Sequence, residues 1–264
     1  MSTDTRLPVA VLGATGLVGQ HFVNPGHLDV IEYQRARRGW PGYIATNANC
    51  TSTILALALG PLQTFGVRRA LVTTFQSISG AGYSGVASYD ILGNVVPFIA
   101  GEEEAVQQEM LKLLGAWRPE SGFAPAPIAI SAQCARVPTL QGHLENVSVE
   151  LDRRVDPAQL IQAWKQFVPD TQHLALPSAP PAPLLYLHAA NRPQPALDYA
   201  AGNGMTVSVG RLQPCLALGE TGYSFWIVGD NLSRGAVGGS LLNAELCVRK
   251  GLIETRHLDL NLTT

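Results

Sequence analysis

One cysteine stands where a sequence can activate a thiol. Cys50 follows the polar turn Asn47-Ala48-Asn49 and comes directly before an apolar segment, 51–62, that is typical of a buried helix. At a helix N-terminus the dipole and the free N–H groups stabilise a thiolate, so this position predicts a lowered thiol pKa. The pattern favours a nucleophile at Cys50, with an inert buried cysteine as the alternative.

A second segment carries an arginine and a histidine in a strand-and-turn pattern. Arg136 and His143 are separated by Pro138 and Gly142, so their spacing does not imply a shared helix face. Arginine can bind a carboxylate through two parallel hydrogen bonds, and histidine can transfer protons near neutral pH. The pair could therefore bind an acidic substrate and move a proton. On this segment alone, an ordinary surface arginine and a structural histidine are the favoured interpretation.

The chain opens with a pattern that is typical of phosphate binding. An apolar run, 7–12, ends in a turn that contains Gly13, Gly16 and Gly19. A buried strand followed by small residues and then a helix lets backbone N–H groups approach a pyrophosphate. The spacing G-x-x-G-x-x-G is a variant of the dinucleotide fingerprint, and a plain glycine turn after a strand is the alternative.

The second strand of a dinucleotide-binding unit is missing from its expected place. The helix that begins near Thr15 meets Asn24-Pro25-Gly26, a cluster that stops helices. The next segment, 27–38, is typical of a polar amphipathic helix, so no ribose-reading strand follows. We therefore expect a stretch of protein to be omitted between Val23 and Asn24, visible as a Cα–Cα separation above about 3.8 Å. A true deletion is the alternative.

Further runs along the chain predict the elements that position these residues. Strands are predicted at 43–46, 70–75, 128–131, 146–151, 206–212 and 224–228, and helices at 51–62, 101–114, 156–167 and after Ala236. The proline-rich segment 178–195 predicts an extended arm or linker. The glycine-rich segment 79–83 follows a strand, where it could hold a ligand or form a tight turn.

Composition and charge exclude several classes of protein. The chain has 264 residues, of which 46% are hydrophobic and 14% charged, so intrinsic disorder is not expected. A net charge of −2 gives no basic surface for nucleic acid. No apolar run suits a membrane span, and no signal peptide is predicted. The four cysteines form no C-x-x-C pair, which excludes a zinc ribbon; we expect no metal and a cytoplasmic location.

Taken in order, eight segments resemble the aspartate-semialdehyde dehydrogenases of the archaeal and fungal type. These segments span almost the whole chain and are LGATGLVGQ, QRARRGWPGYIATNANCTS, TTFQSISGAGYSG, GNVVPFIAGEE, ARVPTLQGH, RPQP, GMTVSVGR and GDNLSRGAVGG. The resemblance implies an α/β fold with a Rossmann-type dinucleotide-binding domain, incomplete in this sequence, and an α+β catalytic and dimerisation domain with a mixed sheet. The first domain would comprise 1–49 and 231–264, and the second 50–230.

The resemblance also implies a reaction and a set of site residues. The reaction is NADP-dependent reduction of aspartyl 4-phosphate to aspartate 4-semialdehyde through a cysteine thioester, on the route to lysine, methionine and threonine. Cys50 would be the nucleophile and His143 the acid/base. The substrate would be held by Asn49, Gln76, Glu102 and Arg136. The cofactor would lie at Gly13, Thr15, Gly16, Leu17, Val18, Ser79, Gly80 and Asn231. The partners would be this small-molecule substrate, phosphate and further copies of the chain, in a homodimer or homotetramer.

Two departures from the family leave alternatives open. The part that is missing before Asn24 would carry the residues that read the adenosine ribose phosphate, so the choice between NADP and NAD stays open. One turn after Glu102 the family usually has a phosphate-binding lysine, where this chain has Ala105. An acyl-CoA reductase of the same architecture, similar to malonyl-CoA reductases, is therefore an alternative. A shortened non-catalytic paralogue is another.

Overall fold

The structure is a computed structural model that describes residues 11–13, 25–40 and 42–253. Its strands are β1 (Val11–Gly13), β2 (Ala45–Asn47), β3 (Val67–Gln76), β4 (Ala116–Arg118), β5 (Gly122–Ala124), β6 (Ala129–Arg136), β7 (His143–Leu151), β8 (Leu184–Leu187), β9 (Val207–Pro214) and β10 (Gly222–Gly229). Its α-helices are α1 (Val30–Arg38), α2 (Cys50–Leu59), α3 (Ser88–Ile91), α4 (Glu102–Leu113), α5 (Pro157–Gln166), α6 (Asp170–His173), α7 (Pro195–Asp198) and α8 (Gly238–Arg249).

A six-stranded mixed sheet brings the candidate residues together. Its order is β6-β3-β7-β10-β9-β8; the outer pairs β3–β6 and β8–β9 are parallel and the inner pairs are antiparallel. The register sets Gln76 opposite Arg136 and Gly229 opposite His143. These four positions therefore lie at the same end of the sheet.

Helix α2 packs against one face of this sheet and is buried along its length. All residues from 51 to 59 are buried, as expected for a helix that is apolar on nearly every side. Gly229 permits the close approach, since a Cβ there would lie 2.6 Å from Cγ1 of Ile54. The N-terminus of α2, which carries Cys50, is thereby held at the end of the sheet where the candidate residues collect.

The opposite face of the sheet is partly open to solvent. The rings of Phe75 and Trp226 stack on it with centroids 5.9 Å apart, and Leu71 beside them is 48% exposed. Along β7 every second residue is buried and the residues between are half-buried, the pattern of a sheet with one covered face. This face presents apolar area that the described residues do not cover.

Most of the predicted elements are confirmed, with changes at their ends. Helix α2 begins at Cys50 and continues as a 3₁₀ turn, Gly60–Phe65, because Pro61 interrupts the helix. The prediction of an extended arm or linker at 178–195 is wrong in part, since β8 lies within this segment and pairs in parallel with β9 at the edge of the sheet. Its prolines lie before and after the strand, at 180, 181, 183, 193 and 195, where they remove no hydrogen bond from the β8–β9 ladder. The β4–β5 hairpin has no counterpart among the predictions.

The predicted α/β class with a mixed sheet is confirmed. Of the predicted dinucleotide-binding part, the structure describes β1 paired in parallel with β2, with Gly13 opposite Asn47. Thr15, Gly16, Leu17, Val18 and the junction between Val23 and Asn24 lie outside the described residues. In the part of the chain that is described, no helix has the length and apolar character needed to cross a membrane.

Candidate active site

Cys50 and His143 face each other at the end of the sheet. The Sγ atom of Cys50 lies 3.3 Å from Nε2 of His143. Cys50 is half-buried as the first residue of α2, and His143 is fully buried as the first residue of β7. Two candidates from distant segments thus meet in the arrangement of a cysteine nucleophile with its proton partner.

Helix α4 fixes the N-terminus of α2 through Asn49. The Oδ1 atom of Asn49 caps α2 by accepting from the N–H of Thr51 at 2.7 Å. Its Nδ2 donates to Oε2 of Glu102, and its backbone N–H donates to Oε2 of Glu109, each at 2.8 Å. The side chain of Asn49 therefore has most of its hydrogen-bonding capacity used within the protein. Glu109, which the sequence analysis did not single out, anchors the segment that precedes the thiol.

Glu102 is the centre of a polar cluster beside the thiol. Its Oε1 accepts from Nε2 of Gln76 at 2.7 Å and from Oγ1 of Thr51 at 3.0 Å. Nε2 of Gln76 also lies 3.3 Å from Oγ1 of Thr74, and Gln76 is buried. The structure thus brings Asn49, Gln76 and Glu102 together, as the predicted substrate site requires.

Arg136 lies on the same end of the sheet and adds a positive charge. It is buried, and its Nη1 donates to the backbone oxygen of Ser77 at 2.8 Å. Burial lowers the pKa of the Arg136 guanidinium, and the carboxylate of Glu102 acts in the opposite direction. One positive and one negative side chain therefore flank Cys50.

The Cys50 thiol is protonated at neutral pH. Burial raises the pKa of this thiol to about 12, and the charge of Glu102 acts in the same direction against the hydrogen bonds from Thr51. Burial, with a further contribution from Arg136, lowers the pKa of His143 to about 3. The prediction that the helix N-terminus lowers the pKa of Cys50 is therefore wrong, because desolvation and an acidic neighbour outweigh the dipole.

Alkylation of Cys50 should rise steadily with pH. Below its pKa the thiolate fraction, and with it the rate of reaction with iodoacetamide, increases about tenfold per pH unit. Mass spectrometry of the labelled peptide at several values between about pH 6 and about pH 9 measures this slope. Cys215, half-buried at the opposite end of the sheet, serves as the internal reference. A rate that levels off within this range would instead indicate a thiolate–imidazolium pair.

A group of polar residues lies behind His143, on the side away from the thiol. Nδ1 of His143 accepts from the N–H of Ser77 at 3.3 Å, and Oγ of Ser77 lies 3.2 Å from the same nitrogen. Oδ1 of Asn231 accepts from the hydroxyls of Ser77 and Ser79, each at 3.1 Å, and from the N–H of Gly142 at 3.2 Å. Ser77 was missed because a single serine after a strand carries no spacing signal.

Gly80 presents bare backbone against the site. A Cβ at this position would lie 2.7 Å from Nη1 of Arg136 and 2.9 Å from Cε1 of His143. Any side chain here would displace one of these two groups, so the close approach requires glycine. Gly80 is exposed and Ser79 is half-buried, so this loop forms the outer wall of the site.

The parallel pair β1–β2 ends beside the nucleophile. Asn47, opposite Gly13, donates from Nδ2 to the backbone oxygen of Gly235 at 3.0 Å. Gly235 in turn packs so closely on Cys50 that a Cβ there would collide with that of the cysteine. Because nucleotides bind at the carboxyl ends of parallel strands, these residues fit a dinucleotide whose reactive end reaches Cys50.

Glu145 is a buried acid that no motif in the sequence marks. It lies on β7 and is fully buried, and neither of its carboxyl oxygens has a hydrogen-bond partner among the described residues. Burial, with a contribution from Glu102, raises the pKa of Glu145 well above its usual value. The charge of Glu145 is one of the smaller causes that raise the pKa of Cys50. Within the same described residues no group of His, Cys, Asp and Glu is arranged to hold a metal.

Comparisons with known proteins agree on one family. A family model described as semialdehyde dehydrogenase, dimerisation domain, matches residues 59–234. An aspartate-semialdehyde dehydrogenase of Archaeoglobus fulgidus is 45% identical over 88% of this chain and 65% of its own length. A malonyl CoA reductase (NADP) of Metallosphaera sedula is 36% identical over 89% of this chain and 66% of its own. This chain therefore spans 64–66% of the length of the relatives that it matches at 44–46% identity.

A solved structure gives the same assignment at the level of the fold. The crystal structure of aspartate semialdehyde dehydrogenase with NADP from Candida albicans matches with a TM-score of 0.74 and 30% sequence identity. The match covers 92% of this chain and 68% of that one. The sheet and helices described above are therefore those of a known architecture.

Proposed function

This chain belongs to the semialdehyde dehydrogenase family, and from that premise we propose that it acts as an aspartate-semialdehyde dehydrogenase. The reaction is the NADP-dependent reduction of aspartyl 4-phosphate to aspartate 4-semialdehyde. The single observation that carries the proposal is the 3.3 Å contact between Sγ of Cys50 and Nε2 of His143. Relatives that are named aspartate-semialdehyde dehydrogenase, at 44–46% identity, support the choice of substrate.

In this proposal Cys50 carries the acyl group. Its sulfur forms a bond to the acyl carbon while the bond from that carbon to the phosphate oxygen breaks. The thiol proton leaves with the phosphate as hydrogen phosphate, which balances the step. The thioester divides the reaction into acyl transfer and reduction, each with a lower barrier than the direct process. The reduced nicotinamide supplies a hydride when it is bound.

His143 in this proposal moves a proton at the carbonyl oxygen. Hydride addition to the thioester leaves an alkoxide, which takes a proton from Nε2 of His143. When the C–S bond breaks, the oxygen returns that proton to Nε2 and the aldehyde is released. The Cys50 thiolate then takes a proton from solvent, so one turnover consumes one proton.

Arg136 and Glu102 are proposed to recognise the two charges of an α-amino acid. Arg136 would bind the α-carboxylate as a fork, and Glu102 would bind the α-amino group. Opposite charges on either side of Cys50 suit a zwitterion whose side-chain carbonyl reaches the thiol. Gln76 would orient that carbonyl through its amide group. Asn49 would contribute the second N–H of Nδ2, since the first donates to Glu102.

Replacing Arg136 with glutamine should mainly weaken substrate binding. Loss of a charged hydrogen-bond partner predicts a KM for the semialdehyde raised about 10- to 100-fold, with a smaller change in kcat. Steady-state kinetics in the oxidative direction measure both constants. Arg118→Gln, at an exposed position of β4, is the matched control. A lowered kcat with the parent KM would contradict a carboxylate-binding role.

The cofactor is proposed to be NADP, in keeping with the cofactor named for the solved relative. Its pyrophosphate would lie at the glycine-rich segment that the sequence places after β1, at Gly13, Thr15, Gly16, Leu17 and Val18. Ser79 and Gly80 would line the nicotinamide side through their backbone. Asn231 would hold the loop of Ser79 and Gly80 in place, since its amide group is hydrogen-bonded to the hydroxyl of Ser79.

We also propose how the chain is organised and how it assembles. Residues 50–230 would form the catalytic and dimerisation domain, and 1–49 with 231–264 the cofactor domain. The matched family model is named for dimerisation, and the open face with Leu71, Phe75 and Trp226 offers apolar area for a second subunit. A homodimer or homotetramer would cover this face. The cytoplasmic location expected from the sequence stays a prediction.

One observation favours a second candidate function, the reduction of an acyl-CoA. Ala105 lies one turn after Glu102 on α4, where the family resemblance leads us to expect a phosphate-binding lysine. A relative at 36% identity is named as a malonyl CoA reductase (NADP). The same cysteine and histidine would serve both reactions, because both form a thioester at Cys50.

Replacing Ala105 with lysine should improve the use of phosphate if the acyl phosphate is the substrate. An ammonium near the anion adds a charge-assisted hydrogen bond, so the KM for phosphate in the oxidative direction should fall about tenfold. Gln108→Lys adds the same charge to an exposed position of α4 and is the control. An unchanged KM for phosphate in the Ala105→Lys variant would favour the acyl-CoA reaction.

A substrate panel tests the proposed function directly. Oxidation of NADPH is followed with aspartyl phosphate and with malonyl-CoA, and reduction of NADP with aspartate semialdehyde and phosphate. We expect turnover with aspartyl phosphate and phosphate-dependent turnover in reverse. Turnover with malonyl-CoA alone would replace the first candidate by the second. Failure to bind NADPH in a fluorescence titration would support the non-catalytic alternative.

A further inference from the structure

The hydrogen bonds around His143 determine which ring nitrogen carries the proton. A neutral imidazole has one N–H, and a backbone N–H can only donate. The N–H of Ser77 donates to Nδ1 at 3.3 Å, so Nδ1 is the acceptor and the ring proton is on Nε2. That proton therefore faces Cys50, 3.3 Å away.

Two serine hydroxyls continue from the opposite side of the ring. Oγ of Ser77 lies 3.2 Å from Nδ1 of His143 and 2.9 Å from Oγ of Ser79. His143 and Ser77 are fully buried, whereas Ser79 is half-buried. The three groups form a continuous hydrogen-bonded path from the imidazole to the protein surface.

We propose that Ser77 and Ser79 form a proton relay that supplies a proton to Nδ1 of His143, on the side of the ring away from Cys50. Asn231 holds the relay in place, since its Nδ2 donates to Oγ of Ser79 at 3.0 Å and its Oδ1 lies 3.1 Å from both hydroxyls. At rest each hydroxyl donates its one proton to Oδ1 of Asn231. Rotation about the Cβ–Oγ bond turns that proton to the next group of the path, and each oxygen can also accept, so protons can pass in both directions. Ser77 and Ser79 act through His143, so they are positioning and relay residues.

The relay accounts for how a buried imidazole can act as an acid and a base without becoming charged. A neutral imidazole that gives up its only proton would become an anion, and one that gains a proton becomes an imidazolium. Burial and the neighbouring Arg136 oppose the imidazolium, and lower the pKa of His143 to about 3. Simultaneous transfer at both ring nitrogens avoids both charged forms.

The proton balance of the relay is complete at each step. As the alkoxide forms a bond to the Nε2 proton, Nδ1 takes the proton of Ser77, Ser77 takes that of Ser79, and Ser79 takes one from water. The electron pair of each broken N–H or O–H bond stays on its nitrogen or oxygen. Collapse of the thiohemiacetal runs the same transfers in reverse. No oxidant or reductant is needed beyond those of the main reaction.

This inference rests on the proposed role of His143, and its first test does not depend on catalysis. Histidine-labelled ¹⁵N NMR of the full chain reports which ring nitrogen carries the proton, and His143→Asn identifies the resonances. We expect the proton on Nε2, and a shift of the Nδ1 resonance in Ser77→Ala, which removes the hydroxyl and keeps the backbone N–H. A proton on Nδ1, or an Nδ1 resonance unchanged in Ser77→Ala, would overturn the inference.

The second test measures proton transfer during thioester reduction. Single-turnover oxidation of NADPH should slow about tenfold in Ser77→Ala and in Ser79→Ala, with the substrate KM retained. In mixtures of H₂O and D₂O the parent rate should depend nonlinearly on the fraction of deuterium, which indicates that more than one proton moves in the rate-limiting step. In both variants the dependence of the rate on the fraction of deuterium should become closer to linear. Ser77→Thr retains the hydroxyl and should restore most of the rate.

A matched control separates the relay from general effects of removing a buried hydroxyl. Ser208 is fully buried on β9, and its Oγ has no hydrogen-bond partner among the described residues. Ser208→Ala should keep both the rate and its deuterium dependence. Parent rates or an unchanged deuterium dependence in Ser77→Ala would overturn the relay. No turnover by the parent chain would overturn the proposed function alone, and the NMR result would then decide on the relay.

Discussion

Cys50→Ala should lose thioester-dependent turnover by about 10⁴-fold or more, because among the described residues Cys50 is the thiol in contact with His143. The fold should persist, since alanine is smaller than cysteine and suits the first turn of a helix. Steady-state NADPH oxidation with aspartyl phosphate measures the loss. Mass spectrometry of the quenched parent should show the added aspartyl mass on Cys50, and this signal should be missing in the variant.

The control for this substitution is Cys215→Ala. Cys215 is also half-buried and lies at the opposite end of the sheet. It should retain the parent rate and the acyl adduct on Cys50. Turnover of Cys50→Ala within about tenfold of the parent would show that the thiol is not the nucleophile.

His143→Asn should lower turnover by about 10²- to 10⁴-fold, the usual contribution of one acid/base group. Asparagine retains polar atoms in the buried position but cannot exchange a proton near neutral pH. Because the loss is expected after hydride addition, the thioester on Cys50 should still form and should accumulate. Rapid quenching followed by mass spectrometry distinguishes a slow second step from a slow first step.

His188→Asn is the control for the histidine substitution. His188 lies beyond β8 and contacts Lys165 at 3.4 Å, away from the thiol. It should leave both steps at the parent rate. A parent rate in His143→Asn would remove His143 from the proposed mechanism, and with it the reason for the serine relay.

The sequence was informative where a residue type and its local turn carry the signal. Cys50 was singled out by a polar turn before an apolar helix, and the structure has that cap and that helix. Arg136 and His143 were less evident, because a strand-and-turn segment alone favours ordinary structural roles. They become partners of the thiol only through the pairing of distant strands, which the family resemblance supplied and local spacing could not.

Other parts of the site depend on burial and could not be predicted from local patterns. The raised pKa of Cys50 follows from desolvation and from Glu102, which is distant in the sequence. Ser77 and Glu109 gave no local signal of their own. Ser77 contacts His143 and Asn231, which are distant in the sequence, and Glu109 accepts from the backbone N–H of Asn49. The edge strand β8 was not predicted because prolines lie on both sides of it, and a proline-rich segment favours an extended linker until a partner strand is known.

The parallel register of β3 and β6 constrains how this protein can change in length during evolution. Gln76 is opposite Arg136, and side chains alternate between the two faces of a sheet. A single-residue insertion or deletion within β6 would turn Arg136 to the open face without altering any residue of the site. A change of two residues would restore the face but move the guanidinium about 7 Å along the strand. Length variation among relatives should therefore be confined to connections such as the turn between β4 and β5, where it leaves this register intact.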